Sequence, residues 1–222
     1  MLNASRRALT GLRGFAGRAI RRTEGVSAVE FALLAPVLAL MFGGVLEMSG
    51  AITAANRSTY VADAVAEMVS RADHKLTDDE LYNYAVSSVL IDPDIVKYAK
   101  ASNKDVEKAF KITITSVQFE PKILTCLLLG CAFDAKVVFS YTLNGSKRSC
   151  GTLSAAAADA QSKTTLPTGV YGPGSLVVVD VETFYSSIMP VRLTSALSFK
   201  RTSYFRPRYV SRINSDKNCN GY

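Results

Sequence analysis

The stretch that decides the fold is Gly25–Ala55, GVSAVEFALLAPVLALMFGGVLEMSGAITAA. From Val26 to Ala55 it holds no Lys or Arg, and Phe31 to Leu46 is a run of sixteen residues without a charge. A helix rises about 1.5 Å per residue, so these thirty residues make a rod of roughly 45 Å. About 20 apolar residues cross the hydrocarbon core of a bilayer. The stretch is therefore predicted to span a membrane and to emerge still helical. A buried helix of a soluble domain is the alternative, but such helices are shorter and seldom follow a cluster of arginines.

Working outward, the charge is unevenly placed. Residues 1–25 carry Arg6, Arg7, Arg13, Arg18, Arg21 and Arg22 against Glu24, a net +5 out of the chain's +7. A basic flank beside an apolar span stays in the cytoplasm, which puts the C-terminal part outside it. With only +2 left after the leader, a nucleic-acid patch is a weak reading of the high pI, and no nucleic-acid partner is expected. A cleaved secretory signal is the rival for the front end, with Ala51–Ala55 the nearest site, but the apolar core is too long for one. The expected organisation is a basic cytoplasmic leader over 1–25, a transmembrane helix over 26–55, an amphipathic extension over 56–72 and an extracytoplasmic domain over 73–222.

Beyond Arg57 the apolar residues Val61, Val65, Met68 and Val69 recur at three and four, so the helix should continue to about Ala72 with one face on a globular domain. Pro36 lies inside the rod and removes one backbone bond, a defect that membrane helices tolerate. Thr77-Asp78-Asp79-Glu80 is a capping box opening a short helix, and Asp92-Pro93 a second helix start. From Phe110 the period becomes two. Ile112, Ile114, Val117 and Phe119 predict a strand ending at Pro121. Val137, Phe139, Tyr141 and Leu143 predict another, closed by an Asn144-Gly145 hairpin turn with a short partner over Ser146–Thr152. Residues 153–174 read as a surface connection, and Leu176–Tyr185 and Ala196–Phe205 as the last strands. The fold class expected is α+β: a long N-terminal helix, short helices and an antiparallel sheet.

With these parts in place, Gly25-Val26-Ser27-Ala28-Val29-Glu30-Phe31-Ala32-Leu33-Leu34-Ala35-Pro36, with Glu47 further on, resembles the TadE-like/TadF-like pseudopilins of the tight-adherence (Flp) pilus machinery. The pilin-like layout of leader, apolar helix and modest α+β head is similar too. The resemblance implies a minor pilin-like subunit in the inner membrane, working with other pilin-like and secretion-machinery subunits. It also implies cutting by a prepilin peptidase between Gly25 and Val26, leaving Glu30 as the fifth mature residue and Phe31 after it. A carboxylate within a membrane span seeks a cation or a proton, and the new α-amino group of a neighbouring Val26 would supply one and set axial register. Glu47 lies about 25 Å along the axis from Glu30 and is read as a boundary residue or a helix contact. The alternatives are an uncleaved, membrane-anchored binding protein and an extracytoplasmic enzyme.

Catalysis is not expected. The lone histidine, His74, neighbours Asp73 in sequence, and a solvated helix end accounts for both. No phosphate loop, GxSxG or HExxH motif occurs, and no cofactor, metal or small-molecule substrate is expected. Cys126, Cys131, Cys150 and Cys219 match no zinc-finger spacing; outside the cytoplasm they favour disulfides. Three pairings are open, of which Cys126–Cys131 with Cys150–Cys219 is preferred. The tail from Phe199 to Arg212 mixes aromatic and basic residues, as an edge strand guarded by cations does.

Overall fold

The structure, a computed structural model, describes residues 26–122, 132–157, 161–187 and 197–219. It separates into two compact units, residues 1–48 and 49–222. Helix α1 (Val26–Ser70) runs through Pro36 without interruption. In the first unit its described side chains are mostly exposed, Val29, Phe31, Leu33, Leu40, Phe42 and Met48 among them. Such a surface suits a hydrocarbon solvent and not water.

The second unit is an α+β head. After α1 come α2 (Asp78–Ile91) and α3 (Asp94–Ser102), then strands β1 (Lys111–Pro121), β2 (Phe133–Leu143), β3 (Thr152–Ala156), β4 (Thr165–Pro167), β5 (Gly174–Tyr185) and β6 (Leu197–Phe205). They form one sheet in the order β4-β3-β2-β1-β5-β6. Every neighbouring pair is antiparallel except β3–β4, which is parallel.

Local chemistry explains the helix starts. Thr77 Oγ1 accepts the amide of Glu80, while Glu80 Oε2 accepts the amide of Thr77 at 2.8 Å, a reciprocal capping box. Asp92 Oδ1 accepts the amide of Asp94 at 3.1 Å, and the carbonyl of Pro93 already receives the amides of Val96 and Lys97. Asp92 thus caps α3 with proline at its first turn.

The sheet is buried on both faces, so β5 reads as a nearly continuous apolar run, Leu176 to Val181. On one face Ile112, Ile114, Phe139, Val177, Val179 and Val181 pack with Val61, Val65 and Val69 of α1 and Leu81 and Ala85 of α2. On the other, Val117, Phe119, Val137 and Val178 form a second cluster with Leu153 and Leu166. The apolar residues of β1 therefore change face between Ile114 and Val117. Strand β2 matches the change with a bulge: Ser116 pairs Phe139 and Val117 pairs Val137, leaving Val138 as the extra residue.

Two local expectations are corrected. No strand occupies Ser146–Gly151; β3 begins at Thr152 and meets β2 only at Ala135 and Lys136. Asn144 does turn the chain, at φ 55°. There is no room for a side chain at Gly145, where a Cβ would lie 2.6 Å from Thr142 Oγ1 and 2.7 Å from Thr113 Oγ1. But Arg148 then draws the chain inward instead of along the strand. Its amide donates to Ser140 Oγ at 3.0 Å, and its guanidinium to the Thr165 carbonyl at 2.9 Å and Asp180 at 2.8 Å. Nor is 153–174 all surface connection, because Leu153 and Leu166 of β3 and β4 are buried.

Candidate functional site

The first candidate is the exposed rod. Glu30 and Phe31 lie on α1, and both are exposed, Phe31 to 68%. Glu47 is partly covered. Val26 is the first residue of the helix, and Gly25 lies outside the described residues. Within hydrocarbon a charged carboxylate costs about 2.5–3.5 kcal/mol at a helix centre and less near the interface. Glu30 is thus the one acidic group between Val26 and Leu46 for which a membrane must find a partner or a proton.

In the head, α1 is held by apolar burial and by a row of polar ties. Ala54, Ser58, Val61, Ala62, Val65, Ala66 and Val69 are buried, the spacing of one helix face. Arg57 Nη1 donates to Asp94 Oδ2 at 2.6 Å, Ser58 shares a hydrogen bond with Thr183, and Ser203 Oγ donates to Asp63 at 2.7 Å. From β6 and the tail, Arg201 Nε donates to Thr59 at 3.1 Å and Arg208 reaches Glu67 at 3.3 Å. The tail cations that the sequence suggests as edge guards therefore also bind α1, although β6 is indeed an edge strand.

The C-terminal tail straps the head. Leu76 pairs with Ser215 as an isolated bridge, and Ile213 is fully buried. Ser116 Oγ donates to the Ile213 carbonyl at 2.8 Å, and Ser175 Oγ to that of Ser211 at 2.7 Å. Lys217 pairs with Asp78. A disulfide joins Cys150 to Cys219, while Cys126 and Cys131 lie outside the described residues. Among the described residues no cluster of His, Cys, Asp or Glu forms a metal cage.

His74 bridges two acids: Nδ1 lies 2.9 Å from Asp73 and Nε2 2.9 Å from Glu80. The hydrogen bond to Asp73, then that to Glu80, raises its pKa. The Thr77 amide, followed by His74 and the Thr77 hydroxyl, lowers Glu80 to about 2. Asp73 and His74 are exposed and Glu80 is half-exposed, so they form a surface clasp at the start of α2. At the α2–α3 junction burial raises the pKa of Asp92, a residue only 1% exposed.

The head does contain a polar groove of about 360 Å³, lined by residues that include Lys111, Lys163, Lys200, Asp180, Glu182 and Thr113. Two of its charges answer each other, Lys111 pairing with Glu182 at 3.1 Å, while Asp180 holds Arg148 and accepts from Thr202 at 2.7 Å. Ser162 Oγ accepts the amides of Thr164 and Thr165, and Thr113 bonds Thr142. These hydroxyls are committed to turns and strands, with no base poised on them.

Sequence reasoning offered the Cys150–Cys219 bond that ties down the tail, but neither the Arg148–Asp180 pair nor the burial of Ile213. Arg148 sits in Lys147-Arg148-Ser149, which reads as solvated, and nothing in its neighbours marks burial.

These features define the class: among the described residues, one helix long and apolar enough to cross a membrane, followed by a mixed-sheet α+β head. Within that class, residues 25–67 match the family described as TadE-like protein, so a TadE-like segment is present. The matched span nearly coincides with α1 and stops before the sheet. No curated protein and no solved structure matches the chain.

Proposed function

We propose that this chain is a minor pilin-like subunit acting in the assembly of a tight-adherence (Flp-type) pilus. One observation carries the reading: the TadE-like match falls on the helix whose described side chains are mostly exposed and apolar through Met48. On this reading the helix sits in the inner membrane, N-terminus in the cytoplasm and head outside. A prepilin peptidase removes residues 1–25, and rods of neighbouring subunits pack laterally. The Val26 amine of one rod neutralises Glu30 of the next, which relieves the cost of a lone carboxylate in lipid and fixes axial register. The Cys150–Cys219 bond agrees with an oxidising compartment for the head. The work done is association, not catalysis.

N-terminal sequencing of the membrane-bound protein from cells with an active prepilin peptidase tests the proposal. The expected first residue is Val26. Gly25→Ala should block processing, and Glu30→Ala should be processed but assemble poorly. An intact Met1 in such cells would leave an uncleaved anchored protein in place of a pilin-like one.

A further inference from the structure

We infer that the α2–α3 corner of the head docks on an anionic lipid surface; the inference rests on the reading of α1 as a membrane span. Leu90, at the end of α2, is 87% exposed, the most exposed large apolar residue among the described residues of the head. With Val86, Val89 and Val106 it lines an open, mainly apolar groove of about 420 Å³. The chain then turns over Asp92-Pro93 into α3, which carries Lys97 and Lys100, and Lys104 follows just past the helix end at Asn103. All three lysines are exposed, while Ile95 and Ala99 of the same helix are buried. An exposed leucine beside exposed lysines is the composition of an interfacial surface. The acids nearby are already engaged: Asp94 with Arg57 and Lys97, Asp105 with Lys108, and Glu107 with the Tyr82 hydroxyl.

Position argues for lipid as the occupant. The head's own length of α1 starts at Ser49 and is still apolar and 53% exposed at Ile52; burial begins at Ala54. The Arg57–Asp94 ion pair fixes the start of α3 to that end of the helix, only about 12 Å along the axis from Ser49. A surface so close to the emergence of an apolar helix meets headgroups, and lysines near an anionic leaflet each favour contact by about fivefold.

The chain contains no tryptophan, so a single Leu90→Trp substitution reports on this corner alone. The full-length variant is reconstituted in vesicles of phosphatidylcholine, with or without phosphatidylglycerol, carrying brominated acyl chains. Fluorescence of the corner indole should shift to the blue and be quenched in the anionic vesicles, with much weaker effects in the neutral ones. High salt or Lys100→Glu should reduce the docked fraction by roughly fivefold or more. A separate Leu40→Trp variant places the reporter in the rod and distinguishes the two levels of argument. If the rod indole is quenched while the corner indole stays water-like, or is shielded without quenching as by a protein partner, lipid docking is wrong. Equal quenching of the corner indole in both vesicles, unmoved by Lys100→Glu, would refute the role of the lysines. If the rod indole itself is not quenched, the membrane reading beneath the inference fails.

Discussion

Replacing Arg148 with methionine should be among the most damaging single changes in the head. The Arg148 side chain is 1% exposed and that of Asp180 12%. Methionine fills the space of the alkyl stem but leaves a carboxylate in a poorly solvated site without its guanidinium. Breaking a buried pair from one side costs about 3–5 kcal/mol. The change also frees the Thr165 carbonyl that Arg148 holds at 2.9 Å, adding a part of the roughly 1–3 kcal/mol that an orphaned buried group costs. Arg148 Nε meets no protein acceptor, which lowers the net worth of the pair but not the cost of halving it. At about 2–4 °C per kcal/mol for a domain of this size, the melting temperature should fall by roughly 10 °C. Thermal and urea unfolding of the full chain in detergent measures it, with Arg148→Met/Asp180→Asn closing the cycle and recovering a good part of the loss. A cost below about 1 kcal/mol, the range of exposed pairs, would mean that water reaches the site and that the inward turn of 146–151 has another cause.

Three further outcomes follow from the head. Cys219→Ser opens a 69-residue separation closed by the disulfide and should cost roughly 4 kcal/mol by loop entropy; unfolding with and without reductant should show the wild type falling to the level of the variant. The His74 clasp should help most between about pH 4.5 and 6.5. Its raised histidine pKa contributes fully below the unfolded value and is lost as pH rises through the folded one, while lowered Asp73 and Glu80 contribute above their unfolded values and are lost toward pH 2. Urea midpoints of His74→Gln should therefore approach wild type at alkaline pH and differ most near pH 5–6. Asp92→Asn keeps the cap, since Asn and Asp are comparable there, and removes a buried charge whose raised pKa marks its ionised form as disfavoured. The variant should be as stable as wild type or more so at pH 7, and lose that advantage in acid; urea midpoints at pH 7 and pH 3 check it.

What the residues disclosed depended on how local the cause was. Helix α1 was legible because no charge interrupts Phe31–Leu46 and because Val61, Val65 and Val69 keep helical spacing. The capping box was legible because both of its bonds lie within four residues. Strands β1, β2, β5 and β6 announced themselves through β-branched and aromatic runs. Hidden were the features made by distant partners. Leu153 and Leu166 are single apolar residues in Ala-, Ser- and Thr-rich surroundings, so their parallel strands carried no periodic signal. Ile213 is a lone apolar residue in a polar tail, buried only because Ser116 and Leu76 receive that tail. Arg148 acquires its meaning from Asp180, thirty-two positions away. On the rod, Glu30 was conspicuous for the opposite reason: its oddity is visible in its immediate neighbours.

The match to α1 alone bears on how the two surfaces of that helix divide the work. Apolar burial is non-directional, so Val61, Val65 and Val69 by themselves would tolerate rotation or sliding of the helix over the sheet. Hydrogen bonds demand distance and angle, and those made by Arg57, Ser58, Asp63 and Glu67 recur along two to three turns and reach α3, β5, β6 and the tail. Together they fix which side of α1 the head covers and which it leaves open, with Tyr60 on the open side. The polar row thus gives the head's own part of α1 one covered and one open face.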